Sequence, residues 1–98
     1  MLDENFPDRV RQKAGTLYRT DRLNCAESVF KALIEESGRP CPLELLRMAS
    51  AFGRGMGGAG CCCGALAGGE LAVGFLFGRT EESGRCPDAC GQIARELH

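Results

Sequence analysis

A chain of 98 residues, 44% hydrophobic and 26% charged, has the size and composition of one globular domain with a modest core. Its formal net charge is -1 and its arginines are scattered rather than gathered into a stripe, which excludes the electrostatic footprint of a nucleic-acid binder. Seven cysteines are the anomaly. Because the N-terminus MLDENFPDRV carries no secretory pattern, they point to a reducing cytoplasmic setting and to metal binding or redox work rather than a disulfide framework.

In DRVRQKAGTLYRT, Val10, Ala14, Leu17 and Tyr18 recur at helical spacing with charges between them, which predicts a first helix over residues 7–20. A second helix follows Asn24, a capping residue with Glu27 as its capping-box partner, and stops at Gly38. Its Ala26, Val29, Phe30, Leu33 and Ile34 form one apolar stripe. Cys25 takes the first helical position, at the positive end of the helix dipole. Read by itself, it is better taken as a small buried hydrophobe, as most free cysteines are.

Pro42 suits the first position of a third helix over residues 42–52, with Leu45, Met48, Ala49 and Phe52 on its buried face. Cys41 lies between prolines and reads as incidental. The loop GRGMGGAG follows, with five glycines between Gly53 and Gly60. Gly55, Gly57 and Gly60 satisfy G-x-G-x-x-G, but that fingerprint works between a strand and a helix, and LELLRMASAF before it has helical period. Nucleotide binding is therefore not expected. A loop shaped to wrap closely round an anion, thiolate sulfur included, is the better use of these glycines.

Cys61, Cys62 and Cys63 then open a fourth helix that runs to Gly78. A helix N-terminus leaves N–H groups unpaired and favours a thiolate, so chemistry is expected to start at these three thiols. Gly64, Ala65, Gly68 and Gly69 allow close packing, and Leu66, Leu71, Val73, Phe75, Leu76 and Phe77 make the helix apolar nearly all round, hence central. The apolar run Leu71 to Phe77 falls well short of the ~20 residues a bilayer needs, which argues against membrane insertion. Glu70 lies about two turns beyond Cys63 and reads as a rim carboxylate.

After a polar turn, Cys86 and Pro87 resemble an N-cap and a helix-opening proline, with Asp88 in the first turn and Ile93, Ala94 and Leu97 continuing the helix. Cys90 is four residues past Cys86, so both sulfurs can approach a common point; two unrelated thiols are the plain alternative. The only histidine, His98, is the last residue.

With Cys25, the CGALAG run at Cys63 to Gly68, and Cys86 and Cys90 in hand, the chain resembles the redox-active protein family named for its cysteine pattern, C_GCAxxG_C_C. The likeness extends from Asn24 to the C-terminus and includes NCAESVF, FGRGMGG and CGALAGGELAVGFLFGR. It implies a helical protein with four characteristic cysteines and a redox or metal role. Position by position, the first family cysteine falls on Cys25, the motif cysteine on Cys63, and the last two on Cys86 and Cys90. The sequence departs from the pattern after Gly78, where a longer helical segment and a wider gap between the last two cysteines are expected. Cys61 and Cys62 are extra thiols that stand in for the motif position or act as resolving partners.

The expected architecture is all-α, a single domain over residues 1–98 with four to five short helices, the Gly/Ala-rich fourth helix central and the cysteine-bearing helix ends converging. Helices this short suit a homodimer. Two chemistries follow. In one, Cys63 attacks a disulfide or oxidised substrate and Cys25 or a neighbour resolves the product, in exchange with a redox partner. In the other, Cys25, Cys63, Cys86 and Cys90 are thiolate ligands for an iron–sulfur cluster or zinc. A helical interaction module with inert cysteines is the third reading.

Overall fold

Helix α2 (Cys25–Glu36) is the element on which the others are laid in the computed structural model, which describes residues 4–20, 23–53, 57–58, 63–81 and 88–97. Its start is fixed by the expected capping box: the Glu27 amide donates to Asn24 Oδ1 at 2.8 Å, and the Asn24 amide donates to Glu27 Oε1 at 2.9 Å. At the other end Ser37 is the cap and Gly38 turns the chain with φ of 88°. Between them Ala26, Phe30 and Ile34 are fully buried and form the core with Leu46, Ala49 and Ala72.

Helix α1 (Phe6–Thr20) lies along α2 and buries Phe6 and Leu17. Arg9 Nε meets Glu36 Oε1 at 3.0 Å and Lys13 Nζ meets Glu35 Oε1 at 2.8 Å. Partly exposed pairs of this kind contribute at most about 1 kcal/mol each, so the apolar face holds α1 and the ion pairs set its register.

The third segment differs from the single helix predicted over residues 42–52. Only Leu43–Leu46 is α-helical (α3), and Arg47–Phe52 winds on as a 3₁₀ turn. The turn is tied to the cap of α2: Asn24 Nδ2 donates to the Ser50 carbonyl at 3.0 Å, and Ser50 Oγ donates to Glu27 Oε2 at 2.5 Å. In a 3₁₀ turn residues three apart eclipse, which puts Leu46 and Ala49 together in the core. Met48, expected on the buried face, is 56% exposed.

Helix α4 (Gly64–Phe77) crosses α2 and buries Gly64, Gly68, Gly69, Ala72 and Val73. A Cβ on Gly68 would overlap the Ala26 carbonyl oxygen, so the small-residue spacing read from the sequence is the crossing point of the two central helices. The last helix, α5 (Asp88–Leu97), packs on α4, and its Ile93 shares a 140 Å³ cavity with Phe6, Leu33, Leu76 and Phe77. Cys86 and Pro87, expected to open it, lie outside the described residues. The fold is all-α, with no strand among the described residues and no helix among them long and apolar enough to cross a membrane.

Candidate functional site

The crossing of α2 and α4 brings the first residue of one helix to the first turn of the other. Cys25 Sγ occupies the space where a Cβ on Gly64 would stand, and the Phe52 carbonyl oxygen lies 3.1 Å from the same point. Only glycine fits there. Consecutive Cα atoms are about 3.8 Å apart, so the backbone of Cys63, the residue before Gly64, comes close to the Cys25 sulfur. Two cysteines 38 positions apart in the sequence thus share one corner of the molecule. Neither is in a disulfide.

The chain reaches this corner through the glycine loop. Gly53 is buried, and a Cβ there would lie 2.5 Å from Asn24 Nδ2, so the loop starts hard against the cap of α2. Gly57 donates its N–H to the Gly53 carbonyl at 2.8 Å, and both Gly57 and Gly58 have positive φ, 73° and 93°. This much of the loop is shaped; residues 54–56 and 59–62, Cys61 and Cys62 among them, lie outside the described residues.

Cys63 is the N-cap residue of α4 and is exposed to solvent. The backbone N–H groups of Leu66 and Ala65 hold its thiol below the ordinary cysteine pKa, with burial a small opposing effect. These are amides of the first turn of α4, at the positive end of the helix. The direction of the shift at Cys63 is the one a helix start gives to a thiol.

The remaining cysteines divide. Cys41 is half-buried and packs on the core, and burial, then Glu35, push its thiol up. Cys90 is half-buried on α5. Cys86 lies outside the described residues, and among those described no three His, Cys, Asp or Glu side chains are grouped to hold a metal ion. Of the set Cys25, Cys63, Cys86 and Cys90 expected as thiolate ligands, Cys25, Cys63 and Cys90 are described and do not form such a group together.

Beside Cys25 a cleft of about 260 Å³ opens between helices. Ala14 and Tyr18 of α1 form one wall, Ala65 of α4 the other, and Cys25, Ser28 and Val29 of α2 the floor. Ser28 is 2% exposed and its hydroxyl has no hydrogen-bond partner. Sequence reading passed over Ser28 and Ser50, and took Tyr18 only as part of the periodic face of the first helix. The available signal for Ser28 was its place three residues after Cys25, on the same face of a helix.

A family model described as "Putative redox-active protein (C_GCAxxG_C_C)" matches residues 23–98. No curated protein and no solved structure matches the chain.

Proposed function

Because the chain belongs to the C_GCAxxG_C_C family of redox-active proteins, we propose that it carries out thiol/disulfide exchange, with Cys63 as the attacking thiolate and Cys25 as the resolving thiol. The observation that carries this reading is the seat of Cys25 Sγ on Gly64, the residue that follows Cys63, whose thiol pKa is lowered. Exchange requires a nucleophile ionised near neutral pH and a second sulfur within reach.

In the first step the Cys63 thiolate attacks one sulfur of a disulfide R–S–S–R, the S–S bond breaks, and one R–S⁻ leaves to take a proton from water. In the second, Cys25 gives its proton to solvent, attacks the Cys63 sulfur and expels the other R–S⁻. The protein ends with a Cys25–Cys63 disulfide and the substrate has gained two electrons. A dithiol partner restores the reduced form by the reverse exchange.

Treating reduced, anaerobically purified protein with one equivalent of a small disulfide and mapping its peptides after acid quench is expected to give a Cys25–Cys63 cross-link. Cys25→Ser is expected to stall as a mixed disulfide on Cys63. The reading fails if the purified protein holds iron or zinc that Cys63→Ser releases, because the sulfurs would then be ligands.

A further inference from the structure

We propose that the face built by α3, the 3₁₀ turn, the connection at Arg39 to Pro42 and the end of α4 docks a second copy of this chain, in a two-fold symmetric homodimer. The dimer is independent of the exchange reading: Phe75, on this face, lies eleven residues beyond Gly64 on α4, roughly 16 Å along the axis from the cysteine corner.

Exposed apolar side chains are ordinary when scattered and informative when grouped. Among the described residues the large hydrophobic side chains left exposed are Tyr18, Leu43, Met48 and Phe75, and the last three lie at this one face. Met48 and Phe75 line a hollow of about 510 Å³ together with Pro40, Pro42 and Leu45. Leu43, 75% exposed, directly follows Pro42 and stands as a knob at the margin of the hollow. An isologous interface needs both shapes on one surface, because the knob of each copy must fill the hollow of the other.

The charges say which partner fits. Two line the hollow, Arg39 and Glu44, of opposite sign. The Arg39 guanidinium lies 5.6 Å from the centre of the Phe75 ring, which holds the cation at the rim. Neither Arg39 nor Glu44 has an ion-pair partner among the described residues. A partner segment of one sign would satisfy one of them and oppose the other. A second copy brings both signs, and the two-fold operation sets Arg39 of each chain against Glu44 of the other. Rim pairs of this kind add little affinity and mainly fix orientation, so the apolar side chains carry the association.

Sedimentation velocity of the protein, with its thiols kept free by reductant, is expected to show a monomer–dimer equilibrium that moves with concentration. Met48→Lys puts a charge into the apolar centre at a position already exposed in the single chain. It is expected to weaken the dimer by about tenfold or more while circular dichroism shows unchanged helix content. A chain that stays monomeric up to about 1 mM, the weak end of specific association, overturns the proposal, and so does a dimer indifferent to Met48→Lys.

Charge exchange tests the pairing and separates a broken interface from a broken fold. Arg39→Glu and Glu44→Arg are each expected to raise the dimer Kd by about tenfold or more, since each sets like charges against one another at both symmetric contacts. One variant then carries two acidic rim groups and the other two basic ones. Mixed in equal amounts, they are expected to recover a dimer of one chain each, and the double variant Arg39→Glu/Glu44→Arg to recover it alone; a misfolded chain would do neither. Single variants that dimerise as well as the parent, or that stay apart when mixed although each is folded, overturn the Arg39–Glu44 pairing and with it the second copy as the occupant of this face.

Discussion

Cys41 and Cys63 are the same side chain under opposite physical conditions. Cys41 sits in the Pro40–Pro42 connection, half-buried against the core with Glu35 nearby, and both influences penalise the thiolate. Cys63 sits in solvent at the start of α4, where the Leu66 and Ala65 amides favour it. Exposure and the direction of the pKa shift change together, and the exchange reading takes Cys63 as the reactive thiol of the two. A cysteine's chemistry is set by the backbone that presents it, and the presenting element at Cys63 is a helix end delivered by glycine packing.

The largest effect is expected from breaking that delivery. Gly68→Val drives a side chain into the Ala26 backbone, which cannot step aside without moving α4. Over-packing of this kind is expected to cost about 2–4 kcal/mol in urea denaturation, and to lower the yield of the Cys25–Cys63 cross-link in whatever fraction stays folded. A fully stable variant with normal cross-linking would mean that the crossing does not position the thiols.

Thiol labelling at neutral pH sharpens the comparison directly. With a fast thiol reagent under reducing, anaerobic conditions, Cys63→Ser is expected to remove a rapid phase, and Cys41→Ser to remove only a slow one. The two rates are expected to differ by about tenfold or more, since thiolate fraction and access act in the same direction. If Cys41→Ser removes the rapid phase, the contrast is reversed and the exchange reading goes with it.

Much of this corner could be read from the chain because its determinants are local. The Asn24–Glu27 capping box, the Gly38 stop and the Gly64/Gly68 spacing each depend on residues within about one turn, and the structure uses all of them as read. Cys63 followed from its place before a helix. What was not legible is long-range. Nothing near Ser50 announces that the cap of α2, 23 residues earlier at Glu27, will take its hydroxyl, and neither the 3₁₀ turn nor the exposure of Met48 shows in the local pattern. Ser28 escaped for the same reason: a serine in an amphipathic helix is sealed off only when other helices pack round it.

A milder perturbation tests the link between the cap and the site. Asn24→Ala removes the side-chain cap of α2 and the tie to Ser50, leaving the Glu27 carboxylate to meet Ser50 alone. A cost of about 1–2 kcal/mol is expected from urea denaturation. Cys25 and Gly53 both adjoin Asn24, so cross-linking should slow while the rapid labelling of Cys63 persists. Loss of the rapid phase instead would show that the Cys63 environment depends on the α2 cap rather than on the first turn of α4.

The smallest expected effect is the pH dependence of stability, where the two thiols pull in opposite directions. For Cys41 the folded pKa is raised, so between the unfolded and folded values the native state holds more protons than the unfolded one. Its contribution is intact below the unfolded pKa and is lost as pH rises through the folded value. For Cys63 the folded pKa is lowered, so its contribution is present above the unfolded pKa and is lost as pH falls through the folded value. Urea midpoints of reduced protein between about pH 7 and pH 10, a window spanning the ordinary cysteine pKa, should therefore fall less steeply in Cys41→Ser than in the parent and more steeply in Cys63→Ser. Groups such as Lys13, whose pKa is raised chiefly by its hydrogen bond to Glu35, are common to all three proteins and cancel in the differences. Solvent screening at the exposed Cys63 makes its change the smaller of the two. If Cys63→Ser flattened the alkaline fall, the Leu66 and Ala65 amides would not be stabilising a thiolate, and Cys63 would lose its claim to be the nucleophile.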